Sequence, residues 1–122
     1  MTAGAVDVYD PSTKMLKRLI TNAAGKALNL AWGLAISPSD FGPFSNALRV
    51  GNTGDGRINA FNSSTGKFLE TLKNSAGKII VVSGLWALEF GGGTTHNGAK
   101  NELFFTSGPS GYRLGVFGVI KP

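Results

Sequence analysis

An all-β fold of short antiparallel strands is predicted by three observations. The 122 residues include 18 glycines, about twice the usual share, and they stand singly at turn-like places such as Gly51, Gly54, Gly56, Gly66, Gly84, Gly108 and Gly111. That distribution suits many tight turns rather than a periodic tract. Short apolar and β-branched runs lie between those turns. The chain also repeats itself. Glycine and proline between the runs exclude long helices, and the stretch 22–28, which has some helical propensity, is too short to stand alone.

The repeat is read in four collinear segments. Val6-Asp7-Val8-Tyr9-Asp10-Pro11-Ser12-Thr13 matches Ile58-Asn59-Ala60-Phe61-Asn62-Ser63-Ser64-Thr65. Met15 to Leu19 matches Phe68 to Leu72, and Leu30-Ala31-Trp32-Gly33-Leu34-Ala35-Ile36 matches Gly84-Leu85-Trp86-Ala87-Leu88-Glu89-Phe90. Asn46-Ala47-Leu48-Arg49-Val50-Gly51 matches Asn101-Glu102-Leu103-Phe104-Phe105-Thr106. The spacing grows from 52 to 55 residues by single insertions while the order holds.

Each segment reads as a strand. Val6–Tyr9 and Met15–Leu19 come first. The nearly continuous apolar run Trp32–Ile36 is that of a strand buried on both faces, and Leu48 and Val50 alternate with Ala47 and Arg49 as in a half-buried one. Ile58, Ala60 and Phe61 form a run that ends at Asn62-Ser63-Ser64. Phe68–Leu72, the apolar run Leu85–Phe90, Leu103–Thr106 and Val116–Ile120 complete nine candidates. Four short strands per repeat of about 50 residues is the signature of a β-propeller blade. The expectation is two four-stranded antiparallel blades: one repeat over about 6–57, a second over about 58–115, and a closing strand over about 116–120. Two blades need eight strands, so the strands at the two ends compete for one slot.

Ala31 to Ile36, Leu48-Arg49-Val50-Gly51-Asn52 and Gly54-Asp55-Gly56-Arg57-Ile58-Asn59-Ala60-Phe61 resemble an NHL-type blade. With Gly84 to Gly91, Leu103 to Pro109 and the ending Leu114 to Ile120, the chain resembles the C-terminal third of a bacterial family of uncharacterised six-bladed propellers. The resemblance implies a six-bladed ring and carries no activity with it. Two blades leave two faces uncovered, and such repeats need neighbours to bury them. Three copies would supply six blades, so a homotrimer closed by cyclic symmetry is expected.

Composition bounds the function. Hydrophobic residues make up 42% and charged residues 16%, which is a globular balance. The net charge of +5 is spread from Lys14 to Lys121, with Lys17-Arg18 the only adjacent basic pair. A nucleic-acid surface would cluster its basic residues, so none is expected. No run of 18 apolar residues is present, and no membrane span is expected. The start, Met1-Thr2-Ala3-Gly4, lacks the basic and apolar regions of a secretory signal. Absence of cysteine excludes disulfides and thiolate chemistry and leaves the compartment open.

The candidate ligand-binding residues are Trp32, Trp86, Asn52, Asp55, Arg57 and Arg113. The two tryptophans occupy one place in the two repeats, suited to stacking on a carbohydrate at a blade junction or to packing between blades. Packing is the preferred reading, and it sets the cost of Trp86→Ala at about 3–5 kcal/mol. The loop Gly51 to Arg57 offers small residues and oxygen ligands, but it reads as a glycine turn closed by Asp55. Ser110 stands opposite Asp55 in the second repeat, which weakens a repeated cation site. Arg57 and Arg113 are paired by the repeat and suited to bridging blades.

His96, the single histidine, lies in a glycine-rich loop without an evident partner. No catalytic group, metal site or cofactor is expected. A propeller scaffold is therefore the leading reading. A carbohydrate-binding module is the first alternative. A hydrolase or lyase, drawing on Asp7, Asp10, Asp55 and Glu89, is the second.

Overall fold

A computed structural model describes residues 4–21 and 27–122. The helix-prone stretch 22–28 therefore falls mostly outside the described residues. The fold is all-β, and the described residues form nine strands in three antiparallel sheets. Sheet I pairs β1 (Ala5–Asp10) with β2 (Met15–Thr21). Sheet II runs in order β3 (Ala31–Ile36), β4 (Leu48–Asn52), β5 (Ile58–Phe61) and β6 (Phe68–Thr71). Sheet III runs β7 (Leu85–Phe90), β8 (Leu103–Ser107) and β9 (Val116–Ile120). Two four-stranded sheets were expected, and one is found among the described residues: sheet III has three strands and sheet I has two.

The same turn chemistry recurs at equivalent places in the repeat. Between β1 and β2, the Asp10 carboxylate accepts the Ser12 hydroxyl at 2.6 Å and the Ser12 N–H at 2.9 Å. These bonds hold its carboxyl below the ordinary carboxylate range. Between β5 and β6, the Asn62 side-chain oxygen accepts the Ser64 and Thr65 N–H groups, both at 2.9 Å. Such short polar side chains offer the backbone a ready-made reversal.

Sheet II is the middle layer. Leu48 sits opposite Phe61, with Val50 on the same face, and this face meets Val6 and Ile20 of sheet I together with Leu28. The opposite face carries Gly33, Ala35, Gly51 and Ile58, and it receives Leu85, Leu88 and Leu103 of sheet III. That approach is close. A Cβ on Gly33 would stand 2.5 Å from the Trp86 carbonyl oxygen, and one on Gly51 would stand 3.0 Å from Leu85 and Leu88. Glycine at both places, directly paired across β3 and β4, lets the two sheets seat against each other.

Part of the sheet II face toward sheet I stays open. Leu34 and Ile36 lie on the sheet II face toward sheet I but are 49% and 56% exposed. Sheet I, with two strands only, covers Val50 and Phe61 and does not reach them. Leu88 of sheet III, the repeat partner of Leu34, is 6% exposed because sheet II lies over it.

Candidate functional site

A cleft at the junction between sheets II and III brings the two nominated tryptophans together. Trp32 and Trp86 both sit at register shifts in the first strand of their sheets: β3 gains a residue between Ala31 and Gly33, and β7 gains one between Leu85 and Leu88. A bulge takes a side chain out of strict alternation, and here it does so at the same place twice. The two indoles meet with ring centroids 6.2 Å apart and planes 19° apart. Trp86 also stacks on Tyr112, at 5.3 Å and 28°.

Tyr112 reaches this position through an unusual backbone. Ser110, Gly111 and Tyr112 all have positive φ, near 57°, 67° and 65°. A left-handed turn costs roughly 1–2 kcal/mol at each residue bearing a Cβ. The aromatic row Trp32, Trp86, Tyr112 lines a cleft of about 580 Å³ together with Leu30, Ala31 and Thr53. No charged side chain lines it. Thr53 is held there by donating its hydroxyl to the Leu85 carbonyl at 2.6 Å, which ties the sheet II loop to sheet III.

Thr53 and Tyr112 also edge a smaller, more polar groove of about 350 Å³ that contains Asp55, Ser83 and Ser110. The two repeat-related loops thus face one another. Asp55 is the turn residue expected of it, accepting the Arg57 N–H at 3.1 Å, and Gly56 takes φ +70°. Asn52 is different. It is fully buried and donates its amide to the Ala27 carbonyl at 3.0 Å, so it serves the fold and does not face the groove. Arg57 and Arg113 are exposed, and neither makes an ion pair among the described residues.

The tryptophans require a correction. They do touch across the two sheets, but Trp32 is 68% and Trp86 43% exposed. They are therefore not core aromatics. Trp86→Ala is expected to cost less than the buried-ring figure, with about 0.5–1.5 kcal/mol from aromatic stacking added to the loss of its partly buried area. Chemical denaturation of the variant measures it.

The acidic residues named for hydrolytic chemistry do not converge. Asp7 pairs with Arg18, Asp10 holds its own turn, Asp55 holds another, and Glu89 lies on the outer face of sheet III. His96 is exposed in a groove of about 570 Å³ on that outer face, shared with Glu89, Phe104 and Phe117. Among the described residues no group of three or more histidine, cysteine or acidic side chains is placed to hold a metal. No described helix is long and apolar enough to cross a membrane.

Arg49 is a buried cation that the sequence reading passed over as one polar position in an alternating strand. Its side chain donates to the Ser37 hydroxyl at 2.7 Å and to the Phe44 carbonyl at 3.2 Å, and its guanidinium lies 5.1 Å from the Phe41 ring centre. One guanidinium nitrogen has no partner. Burial pushes its pKa down to about 10.

The guanidinium is thus charged at neutral pH and disfavoured in the fold. Because burial holds the folded pKa below the ordinary guanidinium value, the unfolded chain binds more protons between the two, and stability rises with pH across that window. Arg49→Met is expected to be neutral or stabilising by up to about 1–4 kcal/mol and to remove that rise. Denaturation midpoints at pH 8 and pH 11 on both proteins provide the check.

Comparison with known proteins gives three relatives, all uncharacterized proteins of Acanthamoeba polyphaga mimivirus. One is 28% identical over 118 residues, covering 97% of this chain and 20% of the relative. A second is 29% identical over 104 residues, covering 85% of this chain and 24% of the relative. A third is 27% identical over 105 residues, covering 86% and 26%. The chain therefore spans a fifth to a quarter of the length of the curated relatives it matches. No family model and no solved structure matches it.

Proposed function

We propose that this chain is a section of a ring-shaped β-propeller and serves as a scaffold or binding fragment within the closed ring. Sheet II is then one whole blade. Sheet I is the outer half of the blade before it, and sheet III is three strands of the blade after it. The observation that carries this reading is the exposure of Leu34 and Ile36 beside the burial of Leu88. Equivalent positions of one repeat differ only in whether inner strands of a preceding sheet lie over them. A ring supplies those strands everywhere.

The remaining blades come either from two more copies, as a homotrimer, or from further chain such as the longer relatives possess. Native mass spectrometry and small-angle scattering at low micromolar concentration test the ring. A closed particle with a central channel is expected whenever the missing blades are present. A folded species with sheets I to III intact and no ring under any condition would end the propeller reading.

A second reading is favoured by the aromatic row. Three exposed, roughly parallel rings in an uncharged cleft suit the apolar face of a carbohydrate, with Thr53 and the Tyr112 hydroxyl available for its edge. Trp32→Ala is expected to abolish binding in a glycan array without altering the circular dichroism spectrum. Retained binding by that variant would move the site elsewhere.

A further inference from the structure

We infer that the open face of sheet II at Leu34 and Ile36 is an interaction surface for a pair of β-strands with small side chains at two paired positions, and that a second copy of this chain does not supply that pair. The inference rests on the propeller reading for its geometry and goes beyond it by saying what fits.

The chain contains its own template for the missing contact. Over Leu88, the cover consists of β3 and β4, which present Gly33, Ala35 and Gly51. The seat requires those residues. At Gly33 a Cβ would meet the backbone oxygen of Trp86 at 2.5 Å, and backbone cannot swing aside as a side-chain tip can. At Gly51 a Cβ would press on both Leu85 and Leu88 at 3.0 Å.

In a head-to-tail ring of identical chains, the cover over Leu34 would be the outer face of the neighbour's sheet III. The repeat places Ala87 where Gly33 stands, Glu89 where Ala35 stands, and Thr106 where Gly51 stands. All three line the open outer groove of that sheet, with Phe104 and Phe117. Copy on copy, the Ala87 methyl would be driven onto the Trp32 carbonyl, Thr106 onto Leu34, and the Glu89 carboxylate into an apolar seat. The two ends of this chain do not match.

A strand pair leading into β1 does match. β1 and β2 already lie where the third and fourth strands of a preceding sheet belong, so the absent pair is the first and second. The curated relatives are several times longer than the matched stretch, which leaves ample chain for such a pair.

The experiment rebuilds the pair in front of the full chain. In one fusion, residues 27–57 are duplicated and joined directly to Val6, the repeat partner of Ile58. In the other, residues 81–115 are placed there. Hydroxyl-radical footprinting reads the Leu34 and Ile36 side chains, thermal denaturation reads Tm, and native mass spectrometry of the unfused chain reads self-association.

The expected result is several-fold protection of Leu34 and Ile36 with a raised Tm in the 27–57 fusion. Little of either is expected in the 81–115 fusion, and the unfused chain should form no trimer. Equal protection by both fusions would overturn the inference, as would a trimer of the unfused chain with Leu34 protected. The latter result would leave the propeller reading standing. If neither fusion protects Leu34, the inference fails too, and footprinting of Leu88 in the same samples shows whether the sheet II to sheet III template survives.

Discussion

Phe61→Ala is expected to lower stability by about 3–5 kcal/mol, the cost of truncating a buried aromatic, and to release sheet I before the rest of the molecule. Phe61 is buried in the cluster that joins Val6 and Ile20 to Leu48 and Val50, and it meets Phe68 edge-on at 5.7 Å. This cluster is the apolar link between sheet I and sheet II. A two-stranded sheet without a packed face is marginal in water, so β1 and β2 depend on it. Native-state hydrogen exchange should show amides of 5–21 losing protection at lower denaturant than those of 85–90 and 103–107. Sheet I protection that falls only with global unfolding would show that β1 and β2 are held by something other than Phe61.

The strand pattern was legible in the sequence to within two residues at nearly every boundary, because glycine and polar turns mark the ends of each run. Asp10-Pro11-Ser12-Thr13 and Asn62-Ser63-Ser64-Thr65 are turn chemistry that needs no tertiary context, and both form the predicted reversals. The grouping of the strands was not legible: sheets of two, four and three strands stand where two four-stranded blades were expected.

What escaped the sequence reading depended on side-chain direction. Trp32 and Trp86 look like core residues in apolar runs, and the bulges that turn them outward leave no local signal. Arg49 looks like a surface position of an alternating strand, and Asn52 like a ligand-offering residue of the loop Gly51 to Arg57, whereas it is the last residue of β4. Both are buried, because sheet II is covered on its two faces over β4. Tyr112 was read only as part of a loop, since nothing in Ser110-Gly111-Tyr112 announces a left-handed turn beyond its glycine. The candidate cleft was therefore half visible: its tryptophans were nominated and its third ring was not, while the nominated Asp55 turn lines the neighbouring polar groove.

Gly33→Val is expected to cost about 1–3 kcal/mol, the usual range for forcing volume into a packed contact, at a position where strand propensity alone would favour valine. The obstacle is the Trp86 carbonyl 2.5 Å from the new Cβ, with Leu88 at 3.0 Å behind it. Relief requires sheet III to move away from sheet II, which separates Leu85 and Leu88 from the slot formed with Gly51. The same movement parts Trp32 from Trp86. The variant should therefore lose stability and the near-ultraviolet signature of the stacked indoles together. Gly115→Ala is the control, since a Cβ there meets nothing within 4 Å, and it should stay within about 0.5 kcal/mol of the parent. A Gly33→Val protein with unchanged indole spectra and parental stability would mean that the two sheets do not approach as closely as the Gly33 and Gly51 pair requires. The inference about what can lie over Leu34 would lose its template with it.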